Sequence, residues 1–211
     1  MKLRKMVAAL FAALALIAVM AGPALASENP LVSEGSLVPV GTGIVGSSVG
    51  NVKFDSGGAT LFECNGAALS GSVNFNNNAQ KVQLSMEGKL TGTATEGKCN
   101  TYLGAATVDM GQMCFKHQGS VTVWTVRGNL CNVAATRPGF VFTTSSTGSC
   151  KYKFDNSEWV LNSPLDTSPL RLTSSYQAHK ESGSVQCPGL LTVSGILEFK
   201  TAAGAELMVL S

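Results

Sequence analysis

Past Ala26 the chain offers no window of a dozen residues with a helical apolar period; its apolar residues alternate instead. Val82, Leu84 and Met86 are interleaved with Gln83 and Ser85, and Val121 and Val123 with Ser120 and Thr122. Phe140 and Phe142 flank Val141, and Leu170 and Leu172 flank Arg171. A period of two places every second side chain on the same face, so each run has one face to bury and one to solvate. Turn formers cut the runs short at Ser56-Gly57-Gly58, Asn76-Asn77-Asn78, Glu96-Gly97, Gly128-Asn129, Pro138-Gly139, Thr147-Gly148 and Ala203-Gly204. The pattern predicts an all-β fold: a single antiparallel β-sandwich or barrel-like domain of about ten to twelve strands over residues 36–211. No Pro/Gly/Ser-rich linker divides it. Ser27 to Gly35, with Pro30 and no period, reads as a flexible lead-in.

The start of the chain has a different character. Lys2, Arg4 and Lys5 precede an uninterrupted apolar run from Met6 to Ala21, and Ala24-Leu25-Ala26 follows. A basic start, an apolar centre and a small-x-small site make a signal peptide over residues 1–26. The apolar run falls short of the ~20 residues that span a bilayer as a helix, so the reading is a secreted, extracellular protein with no stable membrane span. Three of the 15 lysines and arginines lie in this leader, leaving twelve cations against 13 carboxylates. A net charge near −1 gives no electrostatic case for nucleic acid, which is bound largely through neutralised phosphates.

All six cysteines, Cys64, Cys99, Cys114, Cys131, Cys150 and Cys187, follow the leader. An even count in an exported chain points to disulfides. A metal site is the competing reading, but there is no C-x-x-C, and only His117 and His179 are at hand to assist. The gaps Cys64 to Cys99 and Cys150 to Cys187 are similar, and a hairpin-like stretch separates Cys114 from Cys131. Sequential pairing of Cys64 with Cys99, Cys114 with Cys131 and Cys150 with Cys187 is the simplest of the 15 possible connectivities.

A faint internal repeat runs from Cys64-Asn65-Gly66 into Ser70-Gly71-Ser72-Val73-Asn74-Phe75, echoed by Cys187-Pro188-Gly189 and Ser194-Gly195-Ile196-Leu197-Glu198-Phe199. It reads either as a duplicated binding unit or as two strands of one Ser/Gly-rich wall. With the A-x-A leader and the Cys-Pro near the C-terminus, these features resemble those of small secreted β-proteins of Gram-positive, actinobacterial type. The resemblance implies a fold and an address, not an activity.

Gly41-Thr42-Gly43-Ile44-Val45-Gly46 matches G-x-G-x-x-G, but Ser47-Ser48-Val49-Gly50 cannot supply the helix whose amides hold a pyrophosphate. A glycine-rich strand or turn is the better reading. His117 and His179 each neighbour lysine and turn-like residues, which suggests exposed positions, and no G-x-S-x-G elbow accompanies them. Of the carboxylates, Asp55, Glu63, Glu87, Asp109, Asp155, Glu158, Asp166 and Glu198 are candidates for an acid–base pair. Trp124, within Val121 to Val126, reads as core in a strand buried on both faces.

The expected function is a secreted, non-enzymatic binding or interaction module, with a secreted glycan-directed hydrolase using carboxylates or His117 as the alternative. The sequence calls for no cofactor and no metal. The least periodic connections, Glu96 to Gly104 and Asp155 to Ser168, hold the expected ligand-binding residues Tyr102, Asp155, Glu158 and Trp159. The expected partner is an extracellular glycan or a cell-envelope component. A third possibility, homo-oligomerisation or membrane insertion through a hairpin such as Gln80 to Thr95, offers only Val82, Leu84 and Met86 as an apolar face, about half of the ~10 residues a membrane barrel strand requires.

Overall fold

The computed structural model describes residues 30–77, 81–91, 99–101, 104–118, 122–144, 148–154 and 159–210; the leader lies outside them. Among the described residues there is no helix, and the strands are β1 (Leu31–Ser33), β2 (Ser36–Leu37), β3 (Gly43–Ser48), β4 (Val52–Ser56), β5 (Ala59–Cys64), β6 (Gly66–Asn77), β7 (Lys81–Thr91), β8 (Cys99–Thr101), β9 (Gly104–Gln118), β10 (Val123–Gly128), β11 (Gly139–Thr144), β12 (Gly148–Phe154), β13 (Trp159–Asn162), β14 (Leu170–Ser182), β15 (Leu190–Thr201) and β16 (Met208–Val209). The all-β expectation holds, with more strands than expected. Four of them, β1, β2, β8 and β16, are two or three residues long, too short for alternation to show in sequence.

Pairing is antiparallel throughout and closes on itself twice. From the C-terminal half of β9 the hydrogen bonds pass to β10, β13, the first half of β14, the second half of β15, β3, β6 and β7, and back to β9. From its N-terminal half they pass to β11, β12, the second half of β14, the first half of β15, β4, β5 and β8, and again back to β9. The result is two barrel-like circuits that share the long strands β9, β14 and β15. Among the described residues each strand of either circuit thus has a hydrogen-bonded neighbour on both sides.

Alternation then fills each interior. The first circuit buries Ile44, Leu69, Val73, Val82, Leu84, Met86, Met113, Phe115, Trp124, Val126, Leu170, Leu172 and Phe199. Val82, Leu84 and Met86 are thus committed to the core and present no outer apolar face. The second circuit is aromatic: Phe54 stacks on Phe62 with ring centroids 4.1 Å apart, Phe140 on Tyr152 at 5.2 Å, and Phe154 meets Tyr176 edge-on at 4.1 Å. Burial in β10 follows strict period two, with Trp124 and Val126 inside and Val123, Thr125 and Arg127 only half-buried. Trp124 is core, as expected, but its strand is buried on one face and not on both, because Arg127 continues the outer parity.

Gly41 to Gly46 forms a turn and the start of β3, with no helix. The two copies of the internal repeat are the two hydrogen-bonded neighbours of β3. Gly71 in the first copy is required: a Cβ there would overlap the carbonyl oxygen of Ser85 on β7.

Residues 31–33, expected in a flexible lead-in, form β1, which pairs with β2 and β16 in a small separate sheet. Three apolar residues in or beside it, Leu31, Val38 and Val209, are at most 3% exposed. Buried Asn76 ties this sheet to the first circuit. Its Oδ1 accepts from the Leu31 amide at 2.9 Å, and its Nδ2 donates to the carbonyls of Leu31 at 2.7 Å and Val38 at 2.8 Å. Asn76 was expected in a turn; instead it lies in β6, one residue before its end.

Disulfides join Cys64 to Cys99, Cys114 to Cys131 and Cys150 to Cys187, with Cα separations of 4.5, 4.7 and 5.9 Å. The first and third lie within the second circuit, linking β5 to β8, and β12 to the connection between β14 and β15. The second pins the connection after β10 to β9.

Candidate functional site

Strands β10 and β11 both pair with the same edge of β9, at Met113 to His117 and at Ala106 to Asp109. They part where β9 passes from one circuit to the other. There a β-bulge follows Gly88 of β7, and Gly111 takes φ +61°, a left-handed conformation that favours glycine. The Gly111 amide donates to Asp109 Oδ1 at 2.8 Å, which closes the bend. Because the two partner strands diverge, the outer face of the molecule is concave at this point.

The connection between them, residues 129–138, folds back over the outer faces of β7 and β9. Asn129, at φ +69°, donates through its amide to Gln112 O at 2.9 Å and through Nδ2 to Ala134 O at 2.8 Å. The Cys131 amide donates to Ser85 Oγ at 3.0 Å, and the Cys114–Cys131 bridge fixes the same turn covalently. This anchoring explains why Ser85 and Cys114, both on the outer face, are only 7% exposed. The connection is a braced ridge with a hollow on either side.

The larger hollow is an open crevice of about 570 Å³ on the second circuit, within the size range of small-molecule sites. Its floor is a cross-strand row in which Lys89 of β7 faces Asp109 of β9, then Val141 of β11 and Lys151 of β12. Lys153 stands two residues along β12 on the same face, and Arg137, Asn129 and Thr136 come from the ridge. Four cations thus surround one carboxylate. Beyond the rim Glu181 bridges Lys151 at 2.9 Å and Lys153 at 2.8 Å, and these two hydrogen-bonded ammonium groups, Lys153 foremost, hold its carboxyl below the ordinary range. The smaller hollow, about 160 Å³, lies across the ridge on the first circuit, between Gln83, Lys116, Arg127 and the Cys131 turn.

Tyr102, Asp155 and Glu158 lie outside the described residues, as does the side chain of Trp159, whose backbone opens β13 opposite Val126. His117, expected at the surface, is fully buried in the first circuit with its ring 5.3 Å from that of Trp124. It shares the inward parity of Met113 and Phe115, so the neighbouring lysine points the opposite way. No substrate meets His117 without opening the core. His179 is exposed on the outer face of β14.

Four of the carboxylates considered for an acid–base pair are held in local contacts. Asp55 accepts from Thr60 Oγ1 at 2.6 Å, Glu63 from Asn51 Nδ2 at 2.7 Å, and Glu87 from Gln112 Nε2 at 3.4 Å. Glu198 lies between Arg171 at 2.8 Å and Lys200 at 3.0 Å. Burial alone would raise its pKa; the hydrogen bonds and charges of Lys200 and Arg171 outweigh burial and hold it below the ordinary range. Among the described residues no group of three or more His, Cys, Asp or Glu is placed to hold a metal.

The crevice had a partial signal in the sequence. Lys151-Tyr152-Lys153 on a strand must put both lysines on one face with Tyr152 buried beneath, and Tyr152 is indeed fully buried. What the sequence could not supply was the parting of β10 from β11. Comparison of the chain with protein-family models, curated proteins and solved structures finds no match.

Proposed function

We propose that this protein is an exported binding module whose ligand face is the crevice at the parting of β10 and β11. The observation that carries the reading is the braced ridge: a disulfide and four hydrogen bonds from Asn129, Cys131 and Gly128 hold a polar, mixed-charge hollow open on an otherwise closed wall. A rigid site loses little conformational entropy on binding. Three disulfides are consistent with an extracellular protein, and among the described residues no helix is long and apolar enough to cross a membrane. A glycan or another cell-envelope component suits a shallow crevice of amides, hydroxyls and charges better than an apolar ligand does.

Export is tested by mass spectrometry of protein from the culture medium. The expected result is a start near Ser27 and a mass six hydrogens below the fully reduced form; retention in the cytoplasm with free thiols would sink this part. Binding is tested on a glycan array and by pull-down from cell-envelope extract, comparing wild type with the double variant Arg137→Gln, Lys153→Gln at unchanged melting temperature. The variant should lose the ligand that wild type retains. Equal retention would mean that the crevice is not the site.

A further inference from the structure

The hollow on the first circuit has a composition of its own. Lys116 stands at the centre of a cross-strand row, directly opposite Gln83 on β7 and Thr125 on β10, with Phe75 of β6 next beyond Gln83. Lys81 and Arg127 sit on its two diagonals, two residues from its direct partners on β7 and β10. Diagonal neighbours lie ~7–8 Å apart at the backbone, within reach of long side chains. The ammonium of Lys81 is already placed, 4.9 Å above the ring of Phe75. Burial first, and then the positive charges of Arg127 and Lys81, lower the pKa of Lys116. The charges acting on Lys116 are therefore repulsive, and in its half-buried position water screens them incompletely. An anion seated in this notch would relieve that repulsion and accept from an ammonium and a guanidinium together.

We propose that the notch between Gln83, Lys116, Arg127 and the Cys131 turn receives an oxyanion substituent of an acidic polysaccharide, whose adjoining sugars occupy the crevice across the ridge. This rests on the binding-module reading and names its ligand class. Two features favour a polysaccharide over a nucleic acid strand. Acidic groups stand among the cations: Asp109 in the crevice, Glu87 beside Gln112 and Glu181 beside Lys153. A strand with a phosphate at every residue would meet these carboxylates, whereas a glycan with spaced anionic groups offers hydroxyls that they can accept from. Between the two cationic hollows the ridge presents neutral partners, Asn129 and Thr136, suited to sugar hydroxyls. A chain with almost no net charge can still attract an anion here, because Lys89, Arg137, Lys151 and Lys153 line one hollow and Lys116 and Arg127 the other.

The test is binding of the purified, oxidised protein at ~0.15 M salt, where weak long-range attraction is largely screened, to three immobilised polymers. They are a partly methyl-esterified polygalacturonate (carboxylate), a dextran sulfate of low substitution (sulfate) and a lightly phosphorylated dextran (phosphate), with neutral dextran and duplex DNA alongside. At least one acidic polymer should bind and neutral dextran should not, which identifies the oxyanion. The double variant Lys116→Gln, Arg127→Gln should lose at least tenfold in affinity, and Lys53→Gln, Lys200→Gln, which removes equal charge elsewhere, should stay within twofold. An equal loss in both variants, tighter binding of DNA than of any polysaccharide, or no binding of any polymer would overturn the proposal. If Arg137→Gln, Lys153→Gln abolishes capture of an envelope ligand that the notch variant still binds, the binding-module reading stands and the notch falls.

Discussion

The two circuits share β9, β14 and β15, yet their interiors are held by different means. The first has two long strands, β6 of 12 residues and β7 of 11, beside the shorter β3, β10 and β13, and a mostly aliphatic and methionine interior that also accommodates His117 and Asn76. The second has short ones, β4 of five residues, β5 of six and β8 of three, around clustered Phe and Tyr rings, and it contains two of the three disulfides. Short strands bury little apolar area each, so covalent links do relatively more where the wall is made of small pieces. The Cys114–Cys131 bridge instead ties β9 to a connection outside the second circuit. It holds the ridge, and with it the candidate site, which separates its role from that of the other two.

Removing both links of the second circuit is the strongest way to break this comparison. In the chain-entropy model, closing loops of 35 and 37 residues contributes roughly 3–4 kcal/mol each. Replacing Cys64, Cys99, Cys150 and Cys187 by Ser is expected to melt the second circuit well before the first. Both tryptophans sit on strands of the first circuit, Trp124 on β10 and Trp159 on β13, while Tyr152 and Tyr176 lie in the second. Tyrosine near-UV dichroism should therefore fall at lower temperature than the shift in tryptophan emission. A single coincident transition would make the molecule one cooperative unit and the comparison empty.

The attachment of the amino-terminal sheet comes next in size. Asn76→Ala removes three hydrogen bonds to Leu31 and Val38 and leaves buried backbone groups unsatisfied, each costing about 1–3 kcal/mol. The expected result is a global loss of about 3 kcal/mol in urea unfolding, with the amide of Leu31 exchanging early. Unchanged exchange at Leu31 would mean that its burial, and not Asn76, holds the sheet.

Asn76 also shows where sequence reading stops. A run of asparagines is turn material on composition, and parity counted from Val73 places Asn76 outward. The ladder between β6 and β7 shifts register between Val73 and Phe75, which resets the parity and turns Asn76 inward. A bulge has no residue signature here, so composition misled. His117 is the opposite case: parity with Met113 and Phe115 was available, and the polar neighbours obscured it. The strands themselves were legible because burial follows period two in β10, β11 and β12. The pairing partners were not, since any alternating strand can pair with any other until closure decides. The crevice depends on that closure, and only its paired lysines were written locally.

Acid should act on the two circuits unequally at Glu198, which extends the first circuit's outer face between Arg171 and Lys200. Its folded pKa is lowered, so its contribution is complete at neutral pH and is lost as pH falls through the folded value. Glu198→Gln should lower stability at pH 7 and narrow the gap to wild type in strong acid. A gap that widens on acidification would reverse the sign and overturn the assignment.

The smallest expected effect concerns the candidate site alone. Glu181 is exposed and hydrogen-bonds both Lys153 and Lys151 at the crevice rim. Exposed pairs of this kind contribute little to stability, so Glu181→Gln should leave the melting temperature almost unchanged. Its effect should appear in binding, because the variant releases two ammonium groups toward the crevice. Affinity for dextran sulfate should rise about twofold to threefold, the scale of one screened surface interaction. The sulfate stays ionised in acid, so wild type should approach the affinity of the variant as pH falls below 4.5, the ordinary value from which the Glu181 carboxyl is lowered. The variant should show a smaller rise. If wild type and variant gain affinity in parallel on acidification, the change comes from other carboxylates, and Lys151 and Lys153 are not part of the ligand face.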